Sequence, residues 1–372
     1  MSGLTLPRLS ATLIVRNEAS RLRRCLASIL PFTDELVVVD TGSTDDSREV
    51  AASFGARVAT FPWTGDFSAA RNHALDLATG DWILYIDADE CARPVDADLL
   101  RASLAAPDLV AAVVDFRNRS GVTRYHEHRL FRRDPRIRFR HLIHETIVPD
   151  IMARVDAGMR IGVSPLAIDH YGYDGDQSHK FTRNIPLLRE RLAREPSHVY
   201  SWTHLGEMLA GAGDAAAARA AWQQAIALVR TQATRSAIDA MPYGALLLHD
   251  GDRASPDLLR EARARFPHDL LLQWLDGVRL AREEQYEEAA LCLEPLGAID
   301  ADTYCAPDGV AYDVRIFGVA TWATLGLCRF QQGRYAESAA WYAKARAAAP
   351  SSVEYVAKHR LAAARAAAEG PA

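Results

Sequence analysis

At 372 residues the chain is too long for one ordinary core and long enough for two domains of usual size. Its 49% hydrophobic and 24% charged content are those of a globular protein, and a net charge of -5 exerts no global pull on nucleic acid or on an anionic membrane. Five scattered cysteines without a CxxC pair argue against a disulfide framework or a zinc site. No segment approaches the roughly 20 apolar residues of a membrane span, and "MSGLTLPRLSATLIVRNEAS" lacks the basic start and long apolar run of a signal peptide. A soluble, cytoplasmic protein with no nucleic-acid partner is expected.

Residues 9–90 alternate strands and helices. "ATLIVRNE" reads as a strand ending in polar residues, and "SRLRRCLASIL" has helical spacing. "DELVVVDTGSTDDS" is a strand running into a turn, and "DSREVAASFG" a helix closed by Gly55. "ARVATFPW" is a further strand, "DFSAARNHALDLATG" a helix, and "GDWILYIDADE" the next strand. Nearly unbroken apolar strands between helices indicate a mostly parallel, Rossmann-like sheet covered on both faces. Ligands bind such sheets beyond the carboxyl ends of the strands. Three strands end in polar groups that would converge at this edge: Arg16, Asn17 and Glu18; Asp40; and Asp87 and Asp89, followed by Glu90. Acids so close together repel one another unless they fan out into solvent or hold a cation. Gly42, Ser43 and Thr44 read as a plain turn, with Ser43 or Thr44 capping the next helix.

From about residue 190 the strand signal stops and a repeat of helical period begins. Trp202, Leu205, Gly206, Ala218, Trp222 and Ala225 take the W, L, G, A, F and A places of a tetratricopeptide unit. Trp322, Leu325, Gly326, Tyr335, Ser338, Tyr342, Ala345 and Pro350 take the places of another. Gly277, Tyr286 and Ala289 mark a unit between them, and a weaker one surrounds Gly244. Small residues let paired helices approach and large ones fill the gaps between neighbours. "LGAIDADTYCAPDGVAYD" interrupts the array as an insertion loop. The expected domains are residues 1–182 and residues 183–372.

In this order, "LIVRNEASRLRRCLASI", "ELVVVDTGSTDDS", "GDFSAARNHAL" and "GDWILYIDADE" resemble the successive motifs of family 2 glycosyltransferases with the GT-A fold. "RLFRRDPRIRF", "LIHETI" and "IDHYGY" resemble later motifs of bacterial members that carry tetratricopeptide repeats behind the catalytic domain. Lipopolysaccharide-core glycosyltransferases and bacteriocin peptide S-glycosyltransferases share that architecture. The resemblance implies a metal-dependent, inverting transfer of sugar from a nucleotide-diphosphate donor. The acceptor class, whether peptide or protein, saccharide or small molecule, stays open.

The resemblance also assigns residues. Asp87 and Asp89 match the DXD motif, whose carboxylates hold Mn²⁺ or Mg²⁺ against the donor diphosphate, and hard oxygen donors suit either ion. His170 matches the late histidine that completes the metal shell; its neighbour Asp169 would point to the opposite face of a strand. Asp40 matches the carboxylate that accepts a hydrogen bond from the donor base. This favours a UDP-sugar, with thymidine the alternative, although Thr41 departs from the family's common acidic pair. Asn17 and Glu18 fall near the expected ribose position, and Arg71 would offer a planar cation to phosphate or base. Within "HLIHETI", beside His141, the resemblance makes Glu145 the base that takes the acceptor's proton, with His144 next. Glu90 is either a support for the acids or a helix cap. The arginine-rich run "RLFRRDPRIRFR" is either a basic rim for the acceptor or a solvated strand edge. The repeats would bind the acceptor, hold a homodimer together, or both. The alternative reading is a non-catalytic tetratricopeptide scaffold carrying a degenerate transferase domain.

Overall fold

The computed structural model describes residues 6–118, 121–172, 178–233, 236–306 and 309–369. Tyr173, the last residue of "IDHYGY", lies outside them, as do Pro307 and Asp308 of the insertion loop. Two compact units result. One comprises Met1–Ser120 with Arg124–Pro196, the other Gly121–Thr123 with Ser197–Ala372.

The first unit is an eight-stranded mixed sheet with helices. Its strands are β1 (Leu9–Val15), β2 (Glu35–Asp40), β3 (Arg57–Thr60), β4 (Trp82–Tyr85), β5 (Glu90–Ala92), β6 (Leu109–Asn118), β7 (Tyr125–Arg132) and β8 (Arg160–His170). Its helices are α1 (Ala19–Ile29), α2 (Ser47–Ser53), α3 (Phe67–Leu77), α4 (Ala97–Ser103), α5 (Val148–Val155) and α6 (Ser178–Arg194). The strand order is β3-β2-β1-β4-β7-β6-β8-β5. The first four strands are parallel, then β7 runs antiparallel to both β4 and β6. Alternation along each strand splits the core in two. Leu36 and Val38 join α1 and α2 residues such as Leu22, Leu26 and Val50 on one face. Val37 and Val39 join Ala74, Leu75 and Ile151 of α3 and α5 on the other.

The second unit is helical: α7 (Val199–Gly211), α8 (Ala215–Thr231), α9 (Met241–Asp250), α10 (Pro256–Arg265), α11 (Leu270–Arg282), α12 (Tyr286–Gly297), α13 (Val319–Gln331), α14 (Tyr335–Ala348) and α15 (Val353–Glu369). The tetratricopeptide pattern is realised as glycine-to-aromatic contacts within hairpins. Gly206 of α7 lies under the Trp222 indole of α8, and Gly326 of α13 lies under the Tyr342 ring of α14, where a Cβ would come within 2.9 Å. The Trp222 Nε1–H also donates to the Thr203 carbonyl at 3.1 Å. Within the insertion Ala306 and Tyr312 are buried, in one cluster with Leu293, Leu325 and the following Ile316 and Phe317.

Gly206→Ala places a methyl inside the Trp222 ring, so a loss of about 1–3 kcal/mol is expected. A thermal midpoint equal to wild type in the full chain would show that the hairpin has slack the structure does not display. A second test reads pH. Glu261 of α10 accepts hydrogen bonds from Arg230 (2.6 and 2.9 Å), Tyr243 (2.8 Å) and Arg265 (3.1 Å). Chiefly through Arg230, its carboxyl is held at about 2 against an ordinary 4.5. The folded value lies below the unfolded one, so this stabilisation is complete above about pH 4.5 and is lost as pH falls toward about 2. The midpoint difference between wild type and Glu261→Gln should therefore narrow on acidification through that window. A constant difference would contradict the assignment.

Candidate active site

The sheet explains where the polar strand ends go. β1 lies between β2 and β4, and all three are parallel, so their carboxyl ends open on one edge where the strand order reverses. The loops there are fastened to each other. Asn17 adopts φ +57°, a left-handed conformation that asparagine tolerates. Its Oδ1 accepts from the Thr44 N–H at 2.7 Å, and its own N–H donates to Ser43 Oγ at 2.9 Å. The Glu18 N–H donates to Ser47 Oγ at 2.9 Å. Asp40 is buried and accepts from the N–H groups of Gly42 and Ser43. Neither Ser43 nor Thr44 caps α2, whose N-cap is Asp46. They staple the β1 loop to the β2 loop instead, because the Asp40 and Asn17 acceptors claim their backbone donors first.

The acids follow β4. Asp87 and Asp89 stand in the short turn before β5, and β5 pairs antiparallel with β8 in a register that sets Glu90 opposite His170. The Tyr171 N–H donates to the Asp89 carbonyl at 2.9 Å. This pairing carries His170 Nε2 to 3.5 Å from Asp89 Oδ2. A Cβ on Gly172 would overlap both of these atoms, so the backbone there closes one side of a small cradle. Asp169 points away, as strand alternation requires, and pairs with Arg93 at 3.1 Å.

Two buried guanidiniums hold the remaining acids. Arg71, on α3, donates from Nη2 to Asp87 Oδ1 at 2.8 Å and from Nε to Glu145 Oε1 at 2.5 Å. Burial opposes the Arg71 charge, but the two carboxylates outweigh it and raise its pKa well above the ordinary value. Burial likewise pushes Asp87 up, yet Arg71 and Arg129 prevail and leave it below the usual carboxylate range. Arg129, on β7, donates to Glu90 Oε1 at 2.7 Å and to Glu127 Oε2 at 2.5 Å, with Nη1 3.9 Å from Asp87 Oδ2. Glu90 is 1% exposed and accepts from the Asp87 N–H at 2.9 Å. It braces the acid turn and caps no helix. Burial, aided by Asp87 and Glu127, pushes its carboxyl upward against the pull of Arg129.

Glu145 stands 13% exposed at the end of a tight loop in which His141 and His144 both have positive φ, +81° and +52°. Arg71 engages its Oε1, and among the described residues Oε2 makes no hydrogen bond. From α6, Lys180 donates to the Gly172 carbonyl at 2.7 Å. Burial lowers the Lys180 pKa while Asp89 opposes the shift. Arg183 stacks over Phe67 at 5.1 Å and feels Glu145, Glu18 and Asp87. Glu18 is raised by burial, with Asp89 and Asp87 adding to it. Lys180 and Arg183 were not singled out by the sequence; only the helix that follows "IDHYGY" brings them to the acids. The arginine-rich run divides: Arg136 and Arg140 are 64% and 57% exposed and pair with acids at the surface, whereas others are tied to backbone. Arg132 donates to the carbonyls of Leu109 and Ala106, Arg133 to that of Gly80, and Arg138 and Arg140 pair with Asp76 and Asp150.

Residues 10–160 match the family model described as Glycosyl transferase family 2. The α/β domain is a family 2 glycosyltransferase domain. A TPR repeat-containing protein of Synechococcus elongatus is 39% identical over 225 residues, covering 58% of this chain and 56% of that relative. The SPbeta prophage-derived glycosyltransferase SunS of Bacillus subtilis is 28% identical over 209 residues, covering 52% of this chain and 47% of SunS. The chain thus spans about half the length of these curated relatives. Glucosyl-3-phosphoglycerate synthase from Mycobacterium tuberculosis, solved with Mn²⁺, UDP and glucosyl-3-phosphoglycerate, overlaps 50% of this chain and 80% of its own at 19% identity and a TM-score of 0.38. That overlap is too loose to carry residue roles across.

Among the described residues, no group of three His, Cys, Asp or Glu side chains stands ready to hold a metal ion. Asp89 and His170 do approach each other, as a pair. Neighbouring ligands of an octahedral ion with bonds of about 2.1 Å lie about 3 Å apart. The 3.5 Å between Asp89 Oδ2 and His170 Nε2 therefore fits a divalent cation after a small adjustment. Asp87 lies beside this pair with its Oδ1 engaged by Arg71. Filling the cradle offers a test: Gly172→Ala should weaken Mn²⁺-dependent UDP binding by about 10- to 100-fold while the protein still melts cooperatively. Unchanged affinity in calorimetry would remove Asp89 and His170 as the ligand pair.

Proposed function

We propose that the protein is a metal-dependent, inverting glycosyltransferase that takes a sugar from a UDP-sugar donor. The observation that carries this reading is the Arg71 guanidinium, which ties a carboxylate with an uncommitted oxygen, Glu145, to the acid turn of Asp87 and Asp89. Glu145 accepts the proton of the acceptor hydroxyl or thiol. The acceptor atom then bonds to the anomeric carbon as that carbon's bond to the diphosphate oxygen breaks, releasing the nucleoside diphosphate and inverting the centre. Mn²⁺ or Mg²⁺, held by Asp89 and His170, would supply charge neutralisation for the departing diphosphate. Lys180 and Arg183 add positive charge from α6, where the leaving group's charge grows. His144 remains the alternative base. Asp40 is assigned to the uracil edge through an acceptor lone pair not used by its turn, and Asn17 and Glu18 to the ribose side. Arg71 serves the donor through Asp87.

The catalytic domain on this reading is the α/β unit, and the helical unit supplies acceptor recognition or self-association. Among the described residues no helix is long and apolar enough to cross a membrane. Among the described residues no two cysteines form a disulfide, which suits a cytoplasmic setting.

A panel of nucleotide sugars, followed for metal-dependent release of the nucleoside diphosphate, tests the reading without knowledge of the acceptor. UDP-sugars should be hydrolysed slowly with Mn²⁺ or Mg²⁺ and not with EDTA. Glu145→Gln should keep UDP affinity and lose transfer by about two to four orders of magnitude. Hydrolysis that is indifferent to EDTA would sink the metal assignment, and near-wild-type transfer in Glu145→Gln would move the base to His144.

A further inference from the structure

The loop that presents Glu145 is held in a conformation its sequence does not favour. His141 and His144 both occupy left-handed backbone without being glycine. Such residues cost of order 1–3 kcal/mol each and persist only where the surroundings over-determine them. Every carbonyl of the tetrapeptide His141–His144 is accounted for. Ser68 Oγ donates to the His141 carbonyl at 2.6 Å, and the Phe67 N–H to that of Leu142 at 2.9 Å. Arg191 Nη1 donates to the Ile143 carbonyl at 2.7 Å and to that of His144 at 3.4 Å. Mutual backbone bonds between Arg140 and Thr146, at 3.1 and 3.2 Å, close the base of the loop. The first turn of α3 thus grips one half of the loop, and the last turns of α6 grip the other.

Arg191 is 3% exposed, deeper than a surface arginine needs to be to cap two carbonyls. Its neighbour Glu195 accepts its charge at 3.6 Å and reaches His141 Nδ1 at 2.8 Å, so α6 touches the loop at both strained residues. The same helix carries Lys180 and Arg183 toward the acid turn. Lys180 and Arg191 are eleven residues apart, about 16 Å of helix. One helix, with Pro186 in its interior, therefore reaches from the acid turn to the base loop.

We propose that Arg191 is a positioning residue for transfer: through the Ile143 and His144 carbonyls it sets the loop so that Glu145 meets Arg71 beside Asp87. This rests on Glu145 acting as the base. Arg191 touches no substrate and adds nothing to donor binding, so its loss acts on the chemical step alone. A lysine can still donate to one carbonyl and keep the charge against Glu195, whereas methionine can do neither.

The test compares Arg191→Met, Arg191→Lys and Glu145→Gln in the full-length protein. UDP affinity with Mn²⁺ is measured by calorimetry, and kcat and donor KM are measured separately for Mn²⁺-dependent hydrolysis of a UDP-sugar, with water as the acceptor. Arg191→Met should lower kcat by about 10- to 100-fold with UDP affinity and donor KM within about twofold of wild type, and Arg191→Lys should recover at least part of the loss. Glu195→Ala, on a more exposed residue, gives a second variant should Arg191→Met not fold; it should lower kcat several-fold with KM unchanged. Wild-type kcat in the Arg191 variants, or in Glu195→Ala if Arg191→Met is insoluble, overturns the proposal while a dead Glu145→Gln leaves the base assignment standing. A parallel loss of UDP affinity and kcat also overturns it, because that is the pattern of general structural damage. Active Glu145→Gln removes the base itself, a failure separable from the first.

Discussion

The α/β domain depends on a line of alternating charge, buried except at the one-third-exposed Asp87: Glu145, Arg71, Asp87, Arg129, Glu90. Its links are 2.5 Å from Glu145 to Arg71, 2.8 Å from Arg71 to Asp87, 3.9 Å from Asp87 to Arg129 and 2.7 Å from Arg129 to Glu90. The five members come from the base loop, α3, the acid turn, β7 and β5. Removing one partner of a buried pair leaves an uncompensated charge at a cost of several kcal/mol. Each member therefore fixes the place of the next.

The line also sorts the acids by task. Asp87 sits between two guanidiniums and is held ionised, whereas burial drives its neighbour Glu90 the other way. Asp89 faces His170 and the Gly172 cradle, outside both arginines. Three acids within four residues thus have three environments. Strand alternation begins the sorting, and the antiparallel pairing of β5 with β8 completes it.

Much of this was legible in the sequence. The apolar runs located β1, β2 and β4 because parallel strands buried on both faces are rich in Val, Ile, Leu and Ala, and turn residues on either side located the half-exposed edge strand β3. The glycine and aromatic spacing of the repeats translated directly into Gly206 against Trp222 and Gly326 against Tyr342, since close packing is a local requirement. What did not read out was pairing over long separations. Nothing near Arg71 announces that its partner lies 74 residues on, at Glu145. Arg129 and Arg132 look alike in "RLFRR", yet one is buried among acids and the other is tied to two carbonyls. Charge patterns in a sequence specify composition, whereas ion pairs are set by register, and register belongs to the sheet as a whole.

A buried arginine is not by itself a mark of chemistry, and the helical unit supplies the comparison. Arg329 of α13 is 4% exposed and is surrounded by Glu287, Glu294 and Glu337. Those carboxylates are 39–63% exposed, so water already solvates them and the cluster clamps α12, α13 and α14 together. Around Arg71 the balance is reversed. Glu145 is 13% exposed, and Arg71 satisfies only one of its oxygens. Among the described residues Glu145 Oε2 accepts no hydrogen bond, so this carboxylate keeps a lone pair for a further partner. The distinction lies in the acids and not in the guanidinium, and it sets the α/β domain's charged interior apart from an ordinary structural clamp.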